Sequence, residues 1–146
     1  MATHLNDLRQ GPVRDAFALL EAEYGFQLVA FEASESFDNG LLEFRADSCR
    51  LRVMRERGQI FVDMAHLKGA WFDLPGILEF LSHMPLLDRL LAGGQTDPRQ
   101  VAGVLRQSFE RAAALFTDSE AVATALGLEE LREKRDRQRF GPIDGT

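Results

Sequence analysis

The sequence predicts an α+β fold, in which an N-terminal helix precedes a four-stranded antiparallel meander and a C-terminal group of helices packs on the sheet. Apolar residues recur at helical spacing up to residue 24, short alternating segments between turn residues follow up to residue 66, and helical segments that begin near prolines occupy the rest. A chain of 146 residues is expected to form one domain, 1–146, with a helix and sheet over 13–66 and a helical part over 73–140.

The first helix is predicted from its start, its apolar stripe and its end. Gly11-Pro12 is typical of a helix start, because a proline at the first helical position gives up no hydrogen bond. Gly25 stands where a glycine commonly ends a helix. Between these two points the apolar residues fall at helical spacing: Val13, Ala16, Phe17, Leu20 and Tyr24.

The strands are predicted from four alternating or apolar segments, FQLVAFEA, LLEFRA, CRLRVM and QIFVDMA. The segments are separated by predicted turns at Asp38-Asn39-Gly40, Asp47-Ser48 and Arg57-Gly58. If the last two are two-residue turns, one apolar set falls on one face of the sheet, which favours this register. The cross-strand pairs on that face are Phe44 with Leu51, Leu42 with Val53, Val53 with Val62, and Leu51 with Met64.

The opposite face of the predicted sheet carries two rows of side chains. Glu43, Arg52 and Asp63 form a row of alternating charge, and each cross-strand pair of opposite charges contributes about 0.2–1 kcal/mol. Leu41, Met54 and Phe61 form a second, apolar row. Either a later helix or a partner is expected to cover this row.

Two short helices are predicted directly after the sheet. Asp73 is a suitable cap for the first, because its carboxylate can accept hydrogen bonds from the amides of the first turn. Pro85 interrupts the apolar pattern, and the leucines that follow it predict the second helix, which ends at Gly93-Gly94.

Longer helices are predicted for the rest of the chain. Asp97-Pro98 combines a cap with a first-turn proline and predicts a long helix whose apolar stripe reaches Phe116. Thr117 or Asp118 is predicted to cap the next helix, which ends before Gly127. The charged segment that follows is predicted to form an exposed last helix.

The acidic residues are concentrated in the first third of the chain. Residues 15 to 47 include eight carboxylates and one base, Arg45, so this segment has a net charge of −7, whereas the whole chain has −6. A concentrated negative field attracts basic partners and repels nucleic acid and anionic membranes. We therefore expect a basic protein partner, and neither nucleic acid nor a membrane.

A cytoplasmic location is expected from three features of the sequence. Cys49 is the only cysteine, so no intrachain disulfide can form. The first residues contain no apolar segment of the kind found in secretion signals. No run approaches the roughly 20 apolar residues that a membrane span needs.

No pattern in the sequence predicts catalysis, a cofactor or a metal site. Glycine patterns that bind phosphates or dinucleotides are absent, and His4, His66 and His83 are far apart in unlike surroundings. The predicted register brings His66 near Cys49, without the spacing of a known zinc or catalytic site. We expect a non-enzymatic protein, and the enzymatic alternative is a site around Asp63, His66 and His83.

Three segments within residues 13–82 resemble a group of small bacterial proteins. They are AFALLEAEYGFQLV at the end of the first helix, the hairpin LRVMRERGQIFVDM, and the tryptophan-containing link WFDLPGILEFL. These segments resemble the immunity proteins of polymorphic-toxin systems. The resemblance implies a cytoplasmic antidote that binds and blocks a toxin delivered by a neighbouring cell, and it implies no catalytic residues.

The hypothesis of an immunity-type inhibitor predicts a partner-binding surface with acidic and apolar parts. The acidic residues would face a basic toxin: Glu32, Glu35, Asp38, Glu43 and Asp47. Leu41, Met54 and Phe61, if uncovered, would supply the apolar centre. Trp71 is either a lid over the edge of the core or an anchor at the interface. The alternative function is a homodimeric structural or regulatory module that uses the apolar row or the C-terminal helices.

Overall fold

The computed structural model describes residues 11–33, 39–92 and 94–140, apart from the side chains of residues 94, 139 and 140, and the fold is α+β with one antiparallel sheet. The sheet has the strand order β1-β2-β3-β4-β5. The strands are β1 Gln27–Ala33, β2 Gly40–Arg45, β3 Cys49–Glu56, β4 Gln59–His66 and β5 Phe72–Asp73. The helices are α1 Pro12–Ala16, α2 Leu19–Ala22, α3 Leu74–Phe80, α4 Met84–Leu91, α5 Pro98–Ala114 and α6 Ala121–Phe140, with a 3-10 turn at Gly94–Thr96.

The predicted register of the central strands is confirmed. Leu42 pairs with Val53 and Val53 pairs with Val62, and every other predicted pair in the two hairpins is also present. Arg57 and Gly58 form the tight turn between β3 and β4, with φ angles of 52° and 83°. Positive φ at both residues matches the right-handed twist of a two-residue hairpin. The predicted turn at residues 38–40 lies partly outside the described residues.

Among the described residues the sheet has five strands, so the prediction of a four-stranded sheet is wrong. The fifth is the two-residue strand β5, in which Phe72 pairs with Met64 and Asp73 pairs with Asp63. Two residues are too few to show the alternation from which strands are predicted. The segment predicted as a link between sheet and helices therefore extends the sheet by one short edge strand.

The first helix differs from the prediction in its continuity. Two short helices, α1 and α2, replace the single predicted helix, and the chain turns between them at Phe17 and Ala18. The turn preserves the apolar stripe, because Val13, Phe17 and Leu20 are all buried in the core. Gly25 follows with a positive φ of 72°, as expected for a glycine that ends a helix.

The caps of α3 and α5 are confirmed, whereas the cap predicted at Thr117 or Asp118 and one predicted helix end are wrong, because α6 begins only at Ala121. Asp73 accepts a hydrogen bond of 2.6 Å from the amide of Gly76, and Asp97 accepts one of 2.9 Å from the amide of Arg99. Helix α6 runs through Gly127, where the sequence predicted a boundary between two helices. Gly127 instead lies against Phe80 of α3, and a side chain there would overlap the aromatic ring.

One hydrophobic core lies between the helices and a single face of the sheet. The sheet contributes the apolar set that the register predicted, including Phe44 and Leu51, which are fully buried. Helices α3, α4 and α5 supply most of the opposing side chains, and α6 contributes Leu128. The other face of the sheet, called here the outer face, carries Leu41, Glu43, Arg52, Met54, Phe61 and Asp63.

Candidate partner-binding surface

The apolar row of the outer face lies away from the core. Leu41, Met54 and Phe61 are cross-strand neighbours, as predicted. All three are half-buried and belong neither to the core nor to the residues packed around it. The structure therefore leaves apolar area on this face partly accessible.

A shallow groove of about 210 Å³ lies at the hairpin end of the outer face, the end that holds the Arg57-Gly58 turn. It brings together three residues predicted to bind a partner, Glu32 from β1, Leu41 from β2 and Met54 from β3. The other residues that line it are Ala33, Asn39, Gly40, Arg55 and Glu56. The lining combines apolar side chains with two carboxylates, Glu32 and Glu56, and one guanidinium, Arg55, so its formal charge is −1.

The remaining predicted residues lie at different distances from this groove. Phe61 continues the apolar row beyond Met54. Glu43 lies on the outer face, where it pairs with Ala30 of β1 and Arg52 of β3. Asp47 is exposed in the turn at the opposite end of the sheet. Glu35 and Asp38 lie outside the described residues, in the connection between β1 and β2.

The acidic segment does not form one continuous patch in the described part of the chain. Glu21 of α2 is bound to Arg14 at 2.7 Å, and Glu23 is bound to Arg106 of α5 at 3.0 Å. Arginines therefore neutralise much of the acidity near the first helices. Glu32 and Glu43 are the described carboxylates of this segment that share the outer face.

Trp71 lies over the outer face at a distance from the groove. Its ring is 4.4 Å from the guanidinium carbons of both Arg50 and Arg52. Its carbonyl oxygen accepts a hydrogen bond of 3.2 Å from Arg132 of α6. Trp71 is half-buried, and its ring lies against the two arginines of the outer face and not against the core.

The charged row of the outer face is centred on one ion pair. Arg52 donates to a single carboxylate oxygen of Asp63, through Nη2 at 2.7 Å and Nε at 2.9 Å. Asp63 is 8% exposed, and its burial raises the pKa of its carboxyl, although the hydrogen bond and charge of Arg52 act in the opposite direction. Arg52 therefore compensates a carboxylate that is buried beneath the outer face.

The titratable residues of the enzymatic alternative do not come together. Asp63 faces the outer side of β4, whereas His66, an odd number of residues later, faces the helices. His66 Nε2 is 2.7 Å from a carboxylate oxygen of Asp118, and His83 Nε2 is 3.2 Å from Arg111. Asp63, His66 and His83 thus belong to three separate surroundings.

The contact between His66 and Asp118 was not predicted from the sequence. The amide of Lys68 donates to Nδ1 of His66 at 3.3 Å, so Nε2 carries the proton and donates to Asp118. The two residues are 52 positions apart, and no local pattern connects them. They border a pocket of about 330 Å³ whose walls include Phe116 and Val122.

Cys49 does not join His66 to form an activated nucleophile. The two residues are cross-strand partners, as the register predicted. The thiol is buried, and burial raises its pKa, which favours the unreactive protonated form. Cys49 therefore has the properties of a small core residue.

The described residues contain neither a metal-binding cluster nor a membrane-spanning helix. In the described part of the chain, no three metal-binding side chains are placed to hold an ion. None of the described helices has the length and apolarity needed to cross a membrane. No family model matches the chain, and no curated protein or solved structure matches it either.

Proposed function

We propose that this protein is a non-enzymatic protein-binding domain, an immunity-type inhibitor that neutralises a basic toxin in the cytoplasm of the cell that makes it. The observation that carries the proposal is the groove on the outer face, where Glu32 lies beside Leu41 and Met54. Binding hot spots commonly combine an apolar centre with a polar rim that excludes water. The groove has this composition at the scale of a few side chains.

The charges at the groove favour a basic partner. Glu32 and Glu56 line it, Glu43 lies next to it on the outer face, and Arg55 is the one base among the lining residues. Opposite charges on a partner increase the rate of association and disfavour acidic competitors. Glu21 and Glu23 of the first helices form ion pairs with arginines. Glu32 at the groove is therefore better placed than they are to bind a basic partner.

A binding role is favoured over catalysis by the placement of the titratable residues. Catalysis needs such residues to converge on one reacting group. Asp63, His66 and His83 have Arg52, Asp118 and Arg111 as their respective partners. The second candidate function is a homodimeric interaction module, which is favoured by the half-buried apolar row of the outer face, Leu41, Met54 and Phe61.

Replacing Met54 by alanine is expected to weaken partner binding by about tenfold, because truncating a hot-spot side chain at the centre of an interface costs more than about 1 kcal/mol. The immobilised protein should capture a basic protein from a lysate of its native host, and the Met54→Ala variant should retain about a tenth as much. Val122→Ala is the matched control, since Val122 is an exposed apolar residue on α6 and does not line the groove. Equal capture by the wild type and Met54→Ala would contradict the proposal.

A further inference from the structure

The edge strand β1 exposes two apolar side chains, Val29 and Phe31, that do not line the groove. Six of its seven residues are exposed, and Val29 and Phe31 retain 50% and 44% of their accessible area. The backbone groups on the far side of an edge strand can pair with a further strand. The strand QLVAFEA contains no lysine, arginine or proline, the residues that commonly block such pairing.

The other edge of the sheet is protected. Strand β5 has only two residues. Arg132 of α6 lies 5.0 Å from the ring of Phe72, and Arg135 of α6 lies 3.7 Å from the carboxylate of Asp73. A short strand flanked by arginines is poorly suited to edge pairing, so β1 is the edge at which another strand can be added.

Strand β1 can pair with a second copy of itself without a conflict of charge. A β-bulge separates Leu28 from Ala30, and regular alternation resumes from Ala30 to Ala33. In an antiparallel pair centred on Phe31, each Phe31 faces its counterpart on the side of the helices. Glu32, the one charged residue of the strand, then faces Ala30 of the second copy. This register avoids opposing two glutamates, which would destabilise the pair.

We propose that the chain forms a two-fold symmetric homodimer in which the β1 strands pair antiparallel about Phe31 and join the two sheets. The occupant of the edge is a second copy, because the same strand supplies an apolar match for Phe31 and a neutral residue opposite Glu32. Glu32 and Ala33 of β1 line the groove, whereas Leu41 and Met54 lie on β2 and β3. The dimer does not rest on the proposed inhibitor function, although its interface shares strand β1 with the groove.

Sedimentation equilibrium of the full chain tests the dimer. We expect the apparent mass to rise about twofold with concentration, because a short paired strand makes a weak interface. Phe31→Lys should remain monomeric over the same range, since a lysine on an edge strand opposes pairing. Leu126→Lys, which changes a similarly exposed residue of α6, should dimerise like the wild type. A wild-type chain that stays monomeric, or equal dimerisation by Phe31→Lys, would overturn the proposal.

Disulfide cross-linking tests the register even if Phe31→Lys folds poorly. Paired residues in antiparallel strands have Cα atoms about 4.5–5.5 Å apart, within the range of a disulfide. Phe31→Cys should therefore cross-link to its counterpart under mild oxidation. Ala33→Cys should not, because its counterpart would lie about 13 Å away along the strands. The wild-type chain, whose cysteine Cys49 is buried, is the control for cross-linking that does not involve the new cysteine. Cross-linking of Ala33→Cys without cross-linking of Phe31→Cys would exclude this dimer.

Discussion

Replacing Arg52 by methionine is expected to lower the free energy of unfolding by about 2–4 kcal/mol, because breaking a largely buried ion pair from one side leaves the other charge uncompensated. The Asp63 carboxylate, which is buried on the outer face, would lose both hydrogen bonds from the guanidinium. Methionine retains much of the apolar stem of arginine. The change in the free energy of unfolding therefore measures the loss of the guanidinium charge and of its stacking on Trp71. Urea unfolding at neutral pH measures the effect.

The double variant with Arg52→Met and Asp63→Asn separates the ion pair from other contributions of Arg52. Removing both charges leaves no buried carboxylate without a partner, so much of the lost stability should return. If the double variant is as unstable as Arg52→Met alone, the uncompensated charge is not the cause.

Asp63→Asn alone should reveal the raised pKa of this carboxyl through the pH dependence of stability. Burial raises the folded-state pKa of Asp63 above its ordinary value. The native state therefore holds the proton more tightly than the unfolded state, and this contribution to stability is lost as pH rises through the folded-state pKa. The stability of the wild type relative to Asp63→Asn should fall as pH rises above about 3.9, the ordinary value for aspartate.

Gly127→Ala is expected to lower the free energy of unfolding by about 1–2 kcal/mol, although alanine is the better helix former. A Cβ atom at Gly127 would overlap the ring of Phe80, with Cζ at 2.9 Å. The ring, which is 37% exposed, would have to turn away from α6, so α3 and α6 would lose this contact. Thermal unfolding of the variant measures the loss.

Two further variants identify the cause of that loss. A Cβ at Gly103, in the middle of α5, would meet no atom within 4 Å, so Gly103→Ala should stabilise the protein by about 0.5–1 kcal/mol. Phe80→Ala removes the ring that the new Cβ would overlap. Gly127→Ala should therefore cost less stability in the Phe80→Ala variant than in the wild type. Equal effects of alanine at Gly103 and Gly127 would contradict the proposed packing.

The sheet was predictable because several local signals agreed. Alternating segments, the Asp47-Ser48 turn and the Arg57-Gly58 turn each required the same register, and the structure has that register. Caps at Asp73 and Asp97 were also local, since an aspartate and a nearby proline mark a helix start within a few residues.

The features that escaped prediction depend on contacts between distant residues. Gly127 resembles a helix end in the sequence, whereas its role is to admit Phe80 from another helix. Asp118 resembles a cap, whereas its carboxylate binds His66 across the fold. The ion pair of Glu23 with Arg106, which neutralises one carboxylate of the acidic segment, joins residues 83 positions apart. Sequence periodicity carries no information about such contacts.

The groove was predictable in part, because the register of neighbouring strands places some of its residues together. Leu41 and Met54 follow from the register, and the structure adds Glu32 from β1 to the same groove. Asp47 has the same charge in the sequence but lies at the opposite end of the sheet. A count of carboxylates along the chain cannot distinguish these two positions, because their separation depends on the direction of each strand.

The affinity of the basic partner for Glu32→Lys and for Asp47→Lys, measured by titration at low and high salt, tests the proposed binding surface most directly. Glu32→Lys should weaken binding by about tenfold and reduce its sensitivity to salt, because a charge that faces the partner is reversed. Asp47→Lys makes the same change in net charge at the opposite end of the sheet, and it should bind like the wild type. Equal losses in the two variants, or unchanged affinity in Glu32→Lys, would contradict binding at the groove.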